Sequence, residues 1–226
     1  MQLTNHQPFG PIDVLDRLRY RRAARRYAAH GWPVTPGAIF LGDRFDCGRP
    51  GCPIMRCHPA DESWEDGATT DEALVANWWR NRPHVVLLAT GWRFDALEVP
   101  AKLGVRLLGT ARLHAGLDLA DARGPVAEVP SGSWFFLVRP GTPLRSELEG
   151  CLDIVRHGRG SWIPAAPTRT AEGPVRWLVE PDRVGWRLPA AAAVQSMLVA
   201  ALGDRLRSPR RVAAVPRQLS TTRRAA

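Results

Sequence analysis

The sequence predicts an α+β fold on three observations. Apolar residues at helical spacing alternate with short apolar runs through the first half. The second half is a series of short strand-like runs with no helical stretch until its end, and no internal repeat marks a solenoid. The 226 residues are 45% hydrophobic and 23% charged, enough for one domain with a sizeable core and incompatible with wholesale disorder. No run approaches the roughly 18 apolar residues of a membrane span. The opening MQLTNHQPFGP lacks the basic flank and apolar stretch of a secretory signal, so a cytoplasmic protein with no membrane partner is expected.

Residues 1–11 read as a lead-in broken by Pro8, Gly10 and Pro11, and residues 12–203 as the folded domain. A helix is predicted from Ile12 to about His30. Asp13 and Asp16 suit its positive end, Tyr20, Ala23, Ala24 and Tyr27 form its inward stripe, and Gly31 caps it. A short strand from Trp32 follows. Residues 42–68, rich in Gly, Pro and Cys, have no periodicity and form a long loop, which in a compact domain is functional or held by something. Thr69–Glu72 starts a helix that runs to Arg82, with Leu74, Trp78 and Trp79 inward and Pro83 as its stop. Val85–Ala89 is a buried strand, Thr90-Gly91 a turn, Phe94–Val99 a second strand, and Ala101–His114 a helix. Further strands are predicted at 126–129, 134–139, 152–155, 161–164, 175–179 and 184–187. A last helix, 190–202, has Val194, Met197, Leu198 and Ala201 on one face and Gly203 as its end.

The charge is unevenly distributed. Lys102 is the sole lysine among 31 basic residues. Seven arginines (Arg205, Arg207, Arg210, Arg211, Arg217, Arg223, Arg224) and no acid occupy residues 205–226, so the tail carries +7 of the formal +9. That excludes a uniformly basic nucleic-acid-binding body. Residues 204–226 read as a disordered Arg-rich tail that is either simply solvated or binds DNA or an acidic protein partner.

Four groups of residues can carry chemistry. Cys47, Cys52, Cys57 and His58 offer thiolates and an imidazole of the kind that hold zinc. The alternative is ordinary small residues in an irregular loop, since the spacing is wider than C-x2-C. Cys151, in a strand-like context, reads as a core residue. Glu98 and Asp153 either hold one divalent ion, if their strands are adjacent, or are surface acids on strand ends, while alternation turns Asp95 to the opposite face from Glu98. The turn Ser131-Gly132-Ser133 has the small residues that let backbone amides approach a phosphate, although many strands begin this way. The segment Arg156-His157-Gly158-Arg159-Gly160 is either a phosphate grip or an exposed hairpin loop.

In order, these segments resemble the bifunctional DNA primase/polymerase N-terminal (Prim-Pol) family of the archaeo-eukaryotic primase superfamily. The resemblance spans about residues 20–190. It rests on Ala23-Ala24 through Gly31-Trp32-Pro33-Val34, on the Cys-rich loop ending Cys57-His58-Pro59, on Gly67-Ala68-Thr69-Thr70-Asp71 with Trp78-Trp79 and Pro83, and on Ala89-Thr90-Gly91. It implies a two-layer core with an RRM-like mixed or antiparallel sheet flanked by helices, and Mg²⁺- or Mn²⁺-dependent synthesis of nucleic acid from nucleotides. The family's D-x-D aligns on Glu98-Val99-Pro100, its triphosphate-contacting histidine on Trp134, and its third acid on Asp153, which precedes Arg156. Two of these positions depart from the pattern, which implies weak or absent polymerase activity. The resemblance therefore implies an accessory protein of DNA metabolism that binds DNA or nucleotides. The rivals are an active primase/polymerase using Glu98 and Asp153, and an interaction module working through its basic tail.

Overall fold

The computed structural model describes residues 11–113 and 122–207. The first helix, α1 (Pro11–Ala29), buries Tyr20, Ala24, Tyr27 and Ala28. It ends where Gly31, at φ +77°, lets the Trp32 N–H turn back to the Tyr27 carbonyl at 3.0 Å. Strand β1 (Val34–Phe40) follows and is longer than the sequence predicts. The Cys-rich segment contains only β2 (Phe45–Asp46) and one turn of helix, α2 (Trp64–Gly67). Asp71 caps α3 (Glu72–Trp78) by accepting from the Ala73 and Leu74 N–H groups at 2.8 and 3.1 Å. The helix stops short of Arg82. Val75 and Trp79 turn inward, while Leu74, predicted as core, is exposed.

β3 (His84–Ala89), β4 (Asp95–Pro100) and α4 (Ala101–Leu113) come next. They are followed by β5 (Val126–Val129), β6 (Ser133–Val138) and α5 (Ser146–Glu149). The predicted strand at 152–155 is corrected. The Ile154 N–H bonds the Cys151 carbonyl at 2.9 Å, which makes a turn that leaves Leu152 95% exposed. The strand there, β7, runs Val155–His157. Then follow β8 (Trp162–Pro164), β9 (Arg169–Thr170), β10 (Gly173–Pro174) and β11 (Arg176–Val179). The predicted strand at 184–187 is a 3₁₀ turn, Pro181–Val184, followed by Gly185 and Trp186 at φ +58° and +59°, values no strand accommodates. The last helix, α6 (Ala191–Arg207), passes through Gly203, so Arg205 and Arg207 belong to a helix. Residues 1–10 of the lead-in and Arg210, Arg211, Arg217, Arg223 and Arg224 of the tail lie outside the described residues.

The fold is α+β, and every strand pairing among the described residues is antiparallel. The strands divide into a four-stranded sheet, β2-β1-β3-β8, a five-stranded sheet, β11-β5-β6-β4-β7, and a β9-β10 ribbon. Helices α1 and α3 pack beside β1 and β3, and α4 and α6 pack on β4 and β6. One core cluster joins α1 and the first sheet to Ala96, Phe135 and Leu137 on one face of the second. The other cluster lies between the opposite face (Leu97, Val99, Trp134, Phe136) and α4 with α6. Among the described residues no helix is long and apolar enough to cross a membrane.

The chain crosses from one sheet to the other twice at the same place. The turn after β3 and the turn after β7 meet there. The Thr90 N–H donates to the Ser161 carbonyl at 2.9 Å, and the Thr90 hydroxyl lies 2.6 Å from the Gly158 carbonyl. This seam positions the candidate site.

Candidate functional site

β4 presents its two acids to different environments, as strand alternation requires. Asp95, fully buried, accepts from Arg156 Nε at 2.9 Å and from the Gly141 N–H at 3.0 Å. Arg156, a sequence candidate for gripping phosphate, is thus paired to a buried carboxylate. Glu98 sits on the other face, where its Cα partners on the adjacent strands are Phe135 and Val155. His157, the diagonal neighbour, brings Nε2 to 2.7 Å from Glu98 Oε2. Its Nδ1 lies 2.9 Å from Ser161 Oγ, and Phe135 meets the ring edge-on at 5.5 Å. The His157 hydrogen bond lowers the Glu98 carboxyl below its usual range against the upward push of burial, and a hydrogen bond from Ser133 adds to the lowering.

The structure therefore brings Glu98, His157 and Ser133 together and leaves Asp153 apart, exposed on the turn before β7. The Gly132 N–H bonds the Val129 carbonyl at 3.0 Å and its own carbonyl accepts from Ala101 at the start of α4, so this turn spends its amide internally. Ser131 and Gly132 are exposed. Trp134 is on the opposite side from Glu98, buried against α4 so closely that a Cβ on Gly104 would lie 2.2 Å from its ring. The imidazole beside Glu98 comes from β7, not β6.

Sequence reasoning missed Ser161 and Phe135 as partners of His157, and missed Trp92. That indole, half exposed beside Gly91, carries the Arg159 guanidinium 3.4 Å from its ring centroid. Glu65 accepts from the Gly160 N–H at 3.0 Å, tying α2 to the seam. A tryptophan directly after the turn glycine Gly91 was the available signal for Trp92; nothing local points to Glu65.

A second centre lies in the Cys-rich segment. Ligand atoms of Cys47, Cys52 and His58 lie within 4.8 Å of one another, a set able to hold a metal ion. Cys52 Sγ is 3.6 Å from His58 Nε2. Tetrahedral zinc, with Zn–S about 2.3 Å and Zn–N about 2.0–2.1 Å, puts such ligands about 3.5 Å apart, so the spacing fits. His58 Nδ1 lies 2.7 Å from the Arg56 carbonyl, the outer contact that leaves Nε2 free to ligate. Partial burial raises the Cys47 thiol, but hydrogen bonds from Arg49, His58 and Cys52 outweigh it and bring the group down to about 6, toward the thiolate that metals bind. Cys57 departs from the predicted set. It packs against the main core, where burial pushes its thiol up to about 12. Cys151 is partly buried beside the second core cluster, on the turn after α5.

The donors for the Mg²⁺ or Mn²⁺ of polymerisation do not fit. Among the described residues the Cys47–Cys52–His58 set is the one group of three or more ligand atoms that comes together. Glu98 is engaged by His157, and Pro100 has no donor to offer.

The sequence matches the family described as bifunctional DNA primase/polymerase, N-terminal, over residues 24–193, three quarters of the chain. The chain belongs to the Prim-Pol family. No curated protein matches it. The Prim-Pol match runs from the last turns of α1 to the start of α6 and takes in the Cys-rich segment, the seam and the Glu98–His157 pair.

Proposed function

We propose that this Prim-Pol domain lacks polymerase chemistry and acts as an accessory protein of DNA metabolism that binds nucleic acid or nucleotides. The observation that carries the reading is the state of Glu98. Its carboxylate is bonded to His157 at 2.7 Å, and among the described residues it belongs to no group of three or more ligand atoms. Phosphoryl transfer needs concentrated positive charge on the triphosphate, supplied by ions that several carboxylates hold at one point. A Glu98 already satisfied by an imidazole is a poor start for such a site.

In this reading zinc at Cys47, Cys52 and His58 fixes a segment with too little apolar material to fold alone. The arginine-rich end adds a salt-sensitive attraction to phosphates or to an acidic partner. The test is primer extension and de novo priming by the purified protein with Mn²⁺ and with Mg²⁺, beside a Glu98→Ala/Asp153→Ala variant. No synthesis by a folded protein that binds nucleic acid or nucleotides is the expected result. Synthesis that vanishes in the double variant overturns the reading and makes the protein an active primase/polymerase.

A further inference from the structure

The nearly neutral body of this protein concentrates charge on one helix. Six arginines and two aspartates lie between Pro11 and Ala29 in α1. Burial of Tyr20, Ala24, Tyr27 and Ala28 turns Arg22, Arg25 and Arg26 to the outer surface. Two depressions flank this ridge and share Arg22 and Arg26 as a common wall. One is lined by Arg21, Arg25 and Glu72. The other, about 330 Å³, has Tyr27, Trp177 and Trp186 among its lining, together with Glu180 and Asp182. Together they make a track from cationic surface to aromatic cleft.

The aromatic end is rigidly built. Trp186 is the one non-glycine residue among those described with a positive φ, +59°, a backbone state that persists only where its surroundings enforce it. Its indole N–H donates to Asp182 at 2.8 Å, and the ring stacks on His30 with centroids 3.6 Å apart. The Trp177 indole N–H donates to the Tyr27 hydroxyl at 2.9 Å. Both indoles are therefore fixed before any ligand arrives. Charge around the cleft is polarised. Arg26 pairs with Asp182 and Arg25 with Glu72, whereas Arg22 makes no ion pair among the described residues.

We propose that this track binds single-stranded nucleic acid, with the phosphodiester against Arg22 and Arg25 and a base in the cleft beside Trp177 and Trp186. Cationic grooves ending in aromatic side chains bind single strands because the base face is open to stack, which a duplex hides. The carboxylates of Glu180 and Asp182 in the cleft repel phosphate and accept from base N–H groups, which favours a base over the backbone there. The inference rests on the nucleic-acid reading above. It assigns the contact to α1 and β11, away from the Glu98–His157 pair and independent of the arginine-rich end.

The experiment uses the full chain and a fluorescein-labelled oligothymidylate of about 20 nucleotides, followed by anisotropy across a salt series, with a duplex of equal length beside it. Arg22→Ala/Arg25→Ala changes surface side chains only. It is expected to weaken binding about tenfold and to lower the salt slope by about 1.4, since each phosphate contact on a single strand contributes about 0.7. The single strand should bind more tightly than the duplex. Photocrosslinking with an iodouracil-substituted strand should label the peptide containing Trp177 and Trp186. Absence of binding by the unmodified protein would overturn both this inference and the nucleic-acid reading. Binding with an unchanged affinity and slope in the variant, equal affinity for duplex, or crosslinks confined to Trp92 or to the chain beyond Arg207 would overturn the inference alone.

Discussion

His157 and Glu98 are diagonal neighbours on adjacent antiparallel strands, and their side chains close the offset with a 2.7 Å contact. That contact makes Glu98 a pH-dependent contributor to stability. Its carboxyl is lowered in the folded chain, first by the His157 hydrogen bond. A lowered carboxyl contributes stability above its unfolded value, about 4.3, and loses it as pH falls through the folded value. Thermal unfolding of the wild type and Glu98→Gln should therefore show its full difference above pH about 5 and converge as pH drops below about 4. Parallel curves over that range would show that the pair contributes no linkage.

Arg156 holds the buried Asp95 through its Nε at 2.9 Å. Removing one partner of a buried pair leaves an uncompensated charge, at a cost of about 3–5 kcal/mol. The Arg156 side chain keeps 29% of its exposure, which lets water partly compensate, so Arg156→Ala should lose about 2–3 kcal/mol. Urea unfolding measures the loss. If stability held and only nucleotide or nucleic-acid binding fell, Arg156 would be a ligand contact after all.

Much of the fold was legible because local rules and tertiary packing agreed. The stripe of Tyr20, Ala24 and Tyr27 placed α1, and the apolar run Val85–Ala89 placed a strand buried on both faces. The departures have physical causes. Cys151–Ile154 forms a hydrogen-bonded turn that leaves Leu152 and Asp153 outside the strand, which apolar composition could not reveal. Trp186 adopts a left-handed backbone that its residue type disfavours, so 184–187 read as a strand. At the candidate site, alternation correctly separated Asp95 from Glu98. The partner of Glu98 depended on the diagonal register between β4 and β7, which no local pattern encodes. Cys57 and His58 are adjacent in sequence, yet the thiol packs against the core while the imidazole joins the metal set.

That division makes the two kinds of cysteine separable by experiment. Purified protein should carry about one zinc per chain. Cys47→Ala and His58→Ala should lose it and unfold at lower temperature, because structural zinc contributes directly to folding. Cys57→Ala should keep the zinc and lose about 1–2 kcal/mol of packing. Metal content by atomic emission distinguishes the outcomes. Loss of zinc from Cys57→Ala equal to that from Cys47→Ala would return Cys57 to the ligand set.

Gly91 is where the seam is most tightly built. Its φ is +85°, and a Cβ there would lie 2.2 Å from Arg159 N, 2.4 Å from Arg159 Cα and 2.7 Å from the Gly158 carbonyl carbon. All three are backbone atoms, so a side chain cannot be accommodated by a rotamer change. Gly141 has a similar φ of +92° but open space around its Cβ position. The two glycines separate backbone preference from close approach. Gly141→Ala should cost about 1–2 kcal/mol, the penalty of a left-handed alanine. Gly91→Ala must also displace the 158–161 turn, strain the Thr90–Ser161 contacts and draw Ser161 away from His157. Its cost should exceed that of Gly141→Ala by about 1–3 kcal/mol, a range drawn from overpacked sites. Hydrogen exchange should show the extra loss of protection at Thr90, whose N–H bonds the Ser161 carbonyl. Equal unfolding midpoints for the two variants would mean that the turn moves aside freely, and that the seam does not fix the geometry of Glu98, His157 and Ser161.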